Sequence, residues 1–331
     1  MSMKLCMVGV RGHNNYVLSG LPLTEVSVAG VCTAAAEDDP QLLLSKCRDL
    51  GHEPEVWDHP AEMLDAVRPD LLSIAGPFHR HAEICVEAFR RGIHVFCEKP
   101  VALTLEGLEE VAEARQAAGV HFAAMMGLRY DPAFHTAWRQ VREGAVGEIC
   151  LLNTQKSYRL GRRAPFYHDR SIYGGTIPWV GSHAFDWIRW YTGKAFRSVY
   201  ATHSAARNRD HGELEVSAVC HLTLEDEVFA SVSIDYLRPA EAPSHGDDRV
   251  RIAGTEGVIE VLGGEVILTR AGGDGDERLP VHCDRQIFPD FAAAAAGEVQ
   301  PLLGPEDAIE MTRACLLARE SADGGRIVRF P

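Results

Sequence analysis

Short apolar runs interleaved with amphipathic segments fill residues 4–126, and this alternation constrains the fold more than any other feature of the chain. KLCMVGV (4–10), VSVAGVCT (26–33), EVWD (55–58), DLLSIAGP (70–77), HVFCEKP (94–100) and VHFAAMM (120–126) read as strands. Between them, residues 40–51, 60–67, 81–92 and 103–119 carry helical periodicity. Pro60 suits a first helical position, Thr104 an N-cap and Gly92 a helix stop. Strands that are apolar throughout belong to a parallel sheet covered by helices on both faces. The expectation is an α/β domain of the Rossmann type, doubly wound, over residues 1–126.

From residue 127 to 331 the pattern changes. A helix over 132–143 precedes longer alternating strands: ICLLNTQKSY, SVYATHSA, EVSAVCHLTL, VFASVSIDYL, DRVRIAG and GVIEVL. Helices near 287–297 and 304–322 and a short strand, RIVRF, complete the chain. This predicts an α+β domain with a large open, mostly antiparallel sheet, with the last helix free to pack back on the first domain. A broad sheet face of this kind is usually covered, which implies a homodimer or homotetramer formed through it.

The net charge of −14 opposes binding to nucleic acid and to anionic membranes, leaving a small molecule as partner. No apolar stretch reaches membrane-spanning length and the first residues lack a signal-peptide pattern, so a cytoplasmic location is expected. The nine cysteines are scattered with no CxxC, as buried thiols in a reducing compartment would be. Cys97, beside a charged tripeptide, is the one to check for reactivity.

Ligands of doubly wound sheets lie outside the carboxyl ends of the strands. After the first strand stand Gly9, Arg11, Gly12, His13 and Asn14, an incomplete glycine fingerprint in which Arg11 replaces the second glycine. After the second, Thr33 occupies the position usually held by an acid, with Glu37 and Asp38 further on and no arginine evident nearby. Both NAD and NADP are compatible with that pattern. GPFHRH contributes Gly76, Pro77 and His81, and EKP contributes Glu98, Lys99 and Pro100, the proline a candidate for a cis bond. On their own, Glu98 and Lys99 read first as surface charges at a strand end.

The order of these segments, followed by GLRYDPAF, GAVGEI and GGTIPWVGSHAFDWIRWYTG, resembles the Gfo/Idh/MocA-type oxidoreductases, such as glucose–fructose oxidoreductase and inositol dehydrogenase. The resemblance runs to the terminal GPEDAIEMTRACLLARESADGGRIVRF, and HVFCEKPVALT is its most specific segment. It implies an NAD(P)-dependent dehydrogenase or reductase acting on a secondary alcohol of a sugar, cyclitol or derivative. Lys99 then lies near nicotinamide and substrate, and His183 matches the usual proton acceptor. Trp179 stands where relatives commonly have aspartate, and Asp186 matches a carboxylate three residues after the histidine.

Tyr158, Arg159, Arg163, Tyr167 and Tyr173, in an Arg- and Tyr-rich segment, are candidates to bind substrate, as are Trp179 and Asp186. The same composition also suits a segment that only covers a subunit. His245, Asp247 and Asp248 make a noticeable cluster, but no spacing here is diagnostic of a metal and hydride transfer needs none, so no metal is expected. Two rivals stay open. One is a binding or regulatory protein that lost turnover, suggested by Arg11, Thr33 and Trp179. The other is a recycled, tightly held NAD serving glycoside cleavage.

Overall fold

The structure, a computed structural model, describes residues 2–35 and 38–331, so Glu37 lies outside the described residues. The chain divides into two compact units. The first takes residues up to Gly127, with 171–173 and 285–312. The second takes 128–170, 174–284 and 313–331.

The first unit is built on strands β1 (Met3–Val8), β2 (Val26–Cys32), β3 (Glu55–Trp57), β4 (Leu71–Ile74), β5 (His94–Cys97) and β6 (Phe122–Ala124). They pair in parallel in the order β3-β2-β1-β4-β5-β6, the arrangement that binds dinucleotides across its point of reversal. Leu5–Val8 and all of β4 are buried, which is why these strands are apolar on both faces. Each buried Leu, Val or Met contributes about 1.5–3 kcal/mol. Thr104 caps the helix Leu105–Ala118, accepting from Gly107 N, and Gly119 ends it at φ +65°. Both are the signals the sequence carries.

The boundary expected at residue 127 misses a return of the chain. The helix Ile287–Ala295 lays Phe288 and Phe291 against Phe96 at 5.9 and 5.1 Å between ring centres, with Phe291 also 5.3 Å from His121. This helix returns to the first sheet, and the start of the last helix, up to Thr312, belongs to the same unit, with Glu306 3.3 Å from Arg115.

Burial depresses the His121 side chain from 6.5 to about 4, and burial also lowers His94 and His81. The unfolded chain takes up a proton at His121 across that interval while the folded chain resists it. Stability is therefore complete above pH 6.5 and falls as the pH drops toward about 4. The melting temperature is expected to decline over this window, and to decline less steeply in His121→Gln. A pH dependence unchanged by the substitution would contradict this account.

The second unit carries β7 (Ile149–Arg159), β8 (Phe196–Ser204), β9 (Ser217–Leu224), β10 (Phe229–Arg238), β11 (Gly246–Gly254), β12 (Gly257–Leu262), β13 (Glu265–Arg270), β14 (Asp276–Leu279) and β15 (Val328–Arg329). Their order is β14-β13-β12-β11-β7-β10-β9-β8-β15, antiparallel except where β7 runs parallel to β10. The sheet matches expectation apart from β13 and β14, two short strands that the sequence pattern does not mark. Trp187, Phe185, Ile188 and Tyr191 of the helix Ser182–Thr192 are buried, and that helix packs on β7.

Among the described residues no helix is long and apolar enough to cross a membrane, and no group of three or more His, Cys, Asp or Glu could hold a metal. Cys97 is fully buried, and burial pushes its thiol well above the ordinary value. That corrects the suspicion of reactivity, since the thiolate is the reactive form.

Candidate active site

Glu98 organises the carboxyl edge of the first sheet. It directly follows β5, is fully buried, and accepts from His13 N at 2.7 Å and from Lys99 N at 2.9 Å, while His13 Nδ1 lies 2.6 Å from its Oε2. Burial alone would raise the carboxyl, but His13 and Lys99 outweigh it and hold Glu98 below the usual carboxylate value. Gly12, at φ +78°, leaves the room this needs: a Cβ there would stand 2.3 Å from Glu98 Oε2. Gly9, at φ +90°, is equally constrained, because its Cβ would stand 2.2 Å from the Gly76 Cα. The two retained glycines of the fingerprint thus bring β1, β4 and β5 together at their ends.

His81 is fully buried, its Nδ1 2.8 Å from the Pro100 carbonyl and its Nε2 3.1 Å from the Gly76 carbonyl. Direct contact with a cofactor was the expectation for this residue. Burial and the two carbonyls instead make it a clamp between the turn after β4 and the cis Lys99–Pro100 peptide. Pro77 is buried ahead of the short turn Phe78–Arg80, and Asn14 donates to the Gly9 carbonyl at 3.2 Å.

Arg11 turns to Asp38, with its Nε 2.9 Å and its Nη2 2.8 Å from Asp38 Oδ1. The other oxygen of Asp38 is buried with no partner among the described residues. It is an acceptor available to a ligand hydroxyl, close to where β2 ends and the ribose of a dinucleotide is read. Thr33 accepts from Ala35 N at 2.7 Å through its carbonyl. Arg80 donates to the Ala34 carbonyl at 3.0 Å and is the nearby arginine the sequence reading did not see. Glycine-shaped turn, clamped strand ends and orphaned carboxylate oxygen together fit a nicotinamide dinucleotide.

In the second unit His183 is the second residue of the helix Ser182–Thr192, entered through a π-helical turn at Ile177–Gly181. Such wide turns recur at functional sites. The approach is fixed by Glu215, which accepts from Thr176 N at 3.0 Å and meets Arg170 Nε at 3.1 Å, while its carbonyl accepts from the Thr176 hydroxyl at 2.6 Å. His183 is 3% exposed and Asp186 2%. Asp186 receives Arg129 Nε at 3.1 and 3.0 Å and Nη2 at 2.5 Å. Arg129 is itself buried, 5.4 Å from the Trp190 ring. The expectation that Asp186 binds substrate gives way to a fork-to-carboxylate pair that holds the helix.

The segment 155–175 supplies part of a shared cluster. Trp179 is buried with its ring 6.0 Å from Tyr167, Arg163 lies over Tyr167 and Tyr236, and Tyr158 stacks on His245 at 5.0 Å. Arg159 joins through its backbone, its N–H donating to the His245 carbonyl at 3.0 Å. Tyr173 is fully buried. Lys156, missed in the sequence, is fully buried against Asp248 at 2.5 Å. Burial lowers its ammonium and Asp248 opposes that shift.

Comparison with known proteins extends this picture. The oxidoreductase family with an NAD-binding Rossmann fold, GFO_IDH_MocA, matches residues 3–126, and the GFO/IDH/MocA C-terminal domain matches 134–260. A solved Thermotoga maritima structure, assigned to the oxidoreductases without a named activity, is 48% identical with a TM-score of 0.96, over 99% of this chain and 100% of that one. The uncharacterized oxidoreductase YrbE of Bacillus subtilis is 28% identical over 71% of this chain and 64% of its own length. D-glucoside 3-dehydrogenase of Escherichia coli is 30% identical over 54% of this chain and 52% of its own. The match therefore spans less than two thirds of either curated relative. Taken over both halves, the matches make this chain a member of the Gfo/Idh/MocA oxidoreductases, with an NAD-binding Rossmann fold in its amino-terminal half.

Proposed function

We propose that the protein is an NAD(P)-dependent dehydrogenase or reductase of a sugar, cyclitol or derivative, interconverting a secondary alcohol and its ketone. The observation that carries the reading is burial: Lys99 is 2% and His183 3% exposed. Ionisable side chains at surface strand ends and helix starts have no need of such positions, and burying them costs free energy that a site offsets. When bound, the nicotinamide supplies the hydride chemistry. His183 takes the hydroxyl proton on oxidation and returns it on reduction. Lys99 assists as a buried donor able to stabilise charge that develops on a substrate oxygen. Glu98 fixes the backbone at Lys99 and His13, and Glu215 fixes the approach to His183.

Relatives support the substrate class, since one of them is a D-glucoside 3-dehydrogenase. The test mixes purified protein with NAD+ or NADP+ and a panel of sugars, glycosides and inositols, following nicotinamide absorbance. Silence across the panel, with no thermal shift from either cofactor, would sink the reading. Formation of a homo-oligomer through the nine-stranded sheet belongs to the same proposal and is checked by its mass in solution.

The ribose end rests on Asp38. Held by Arg11, it stands in for the acid missing at Thr33, so the two departures from the usual pattern compensate one another. Asp38→Ala is expected to weaken NAD+ about tenfold by fluorescence titration, the worth of one hydrogen bond to a charged group, and to narrow the preference over NADP+. Unchanged NAD+ affinity would return the ribose to Arg80 and NADP.

A further inference from the structure

Two basic side chains of the second unit, Arg159 and Arg163, stand close together without a carboxylate partner among the described residues. Arg159 ends β7 and Arg163 follows four residues later, its Nη2 donating to the Arg159 carbonyl at 2.8 Å. The Nε of each is buried with no acceptor, and neither guanidinium meets a carboxylate among the described residues. Lys156 adds a third cation, with Asp248 as its partner. His245, stacked on Tyr158, sits below its ordinary value through burial first and then Arg163 and Arg159, with Asp248 opposing them. In a chain of net charge −14, so positive a neighbourhood is not background.

A buried N–H without an acceptor costs about 1–3 kcal/mol. Water satisfies the outer amino groups of an arginine at a rim, but not an Nε shut away from solvent. Both side chains are only half-buried, so the guanidinium forks still reach solvent beside these unmet donors, and the planar fork matches a carboxylate or phosphate. Tyr167 and Trp179, 6.0 Å apart, place aromatic surface in the same cluster, suited to the apolar face of a sugar ring.

We propose that Arg159 and Arg163 bind an oxyanion, a carboxylate or phosphate ester, carried by the carbohydrate substrate, so that the enzyme acts on an acidic sugar. This rests on the sugar-dehydrogenase reading and goes beyond it in naming the substrate class.

The experiment compares D-glucuronate and glucose 6-phosphate with D-glucose, and D-galacturonate with D-galactose, using NAD-loaded protein. One anionic compound is expected to exceed its neutral parent at least tenfold in kcat/KM, and which one does so decides between carboxylate and phosphate. Arg163→Ala and Arg159→Ala are expected to raise KM for that compound about tenfold more than KM for its neutral parent. Arg163→Lys restores part of the preference. Neutral parents that match or exceed every anion, or variants that weaken acidic and neutral sugars equally, overturn the proposal.

Thermal shift and tryptophan fluorescence with the same compounds read binding without turnover. Stabilisation by an anion and not by its parent supports the proposal, and no difference overturns it. Turnover confined to neutral sugars sinks this inference and leaves the dehydrogenase standing. Absence of any cofactor-induced shift sinks the dehydrogenase itself.

Discussion

His183→Ala is expected to lower kcat by roughly 10²–10⁴-fold, the usual worth of a positioned acid–base group, while leaving cofactor affinity unchanged. The expectation follows from where the side chain stands. It is buried at the start of a helix whose approach is tied down by Glu215 through both the backbone and the hydroxyl of Thr176. Removal of the imidazole leaves that framework intact, so binding and chemistry separate cleanly. NAD+ titration by fluorescence and steady-state rates over a pH series give the two readings. The limb of the pH profile that belongs to the base should vanish in the variant. Turnover within a few-fold of the parent enzyme would reassign His183 to packing and revive the regulatory reading.

Asp186→Ala is expected to destabilise the fold severely. It leaves the Arg129 guanidinium buried and without its carboxylate, a situation that costs about 3–5 kcal/mol. For a protein of this size the melting temperature then falls by on the order of 10 °C. Asp186→Leu combined with Arg129→Met removes both charges and should recover much of the loss, because an apolar pair of similar volume avoids desolvation. A small effect of Asp186→Ala would mean that the pair is solvated and that the carboxylate is available to substrate after all.

The parts of this molecule legible in the sequence are those set by local pattern. β1, β2, β4 and β5 announce themselves because both faces are covered, and Thr104 and Gly119 mark their helix by type and position. β13 and β14 escape notice because they are short, are separated by a glycine-rich turn and carry several charges. The return of the helix Ile287–Ala295 to the first sheet depends on Phe288 and Phe291 meeting Phe96, which no periodicity encodes.

The site divides along the same line. Lys99 and His183 are visible through motif order, whereas their supports join residues far apart. Gly12 faces Glu98, Arg11 faces Asp38, Asp186 faces Arg129 and Lys156 faces Asp248. Arg11 illustrates the cost of reading one position at a time. As a lost glycine it looks like damage to the fingerprint, and beside Asp38 it becomes half of a compensated pair.

The parallel pairing of β7 with β10 has a consequence for how the polypeptide is made. β7 has no neighbour in the sheet near it in sequence, since its partners begin at Phe229 and Gly246, 70 or more residues beyond its end at Arg159. On a ribosome adding about 5–20 residues per second, β7 waits on the order of ten seconds before either flank exists. During that interval Lys156 and Tyr158 stay in water, and the first sheet can close only when the helix Ile287–Ala295 emerges later still. Closing such long loops sets the pace of folding more than it sets stability. The residues carried on β7 are thus among the earliest of their unit to be synthesised and among the last to be put in place.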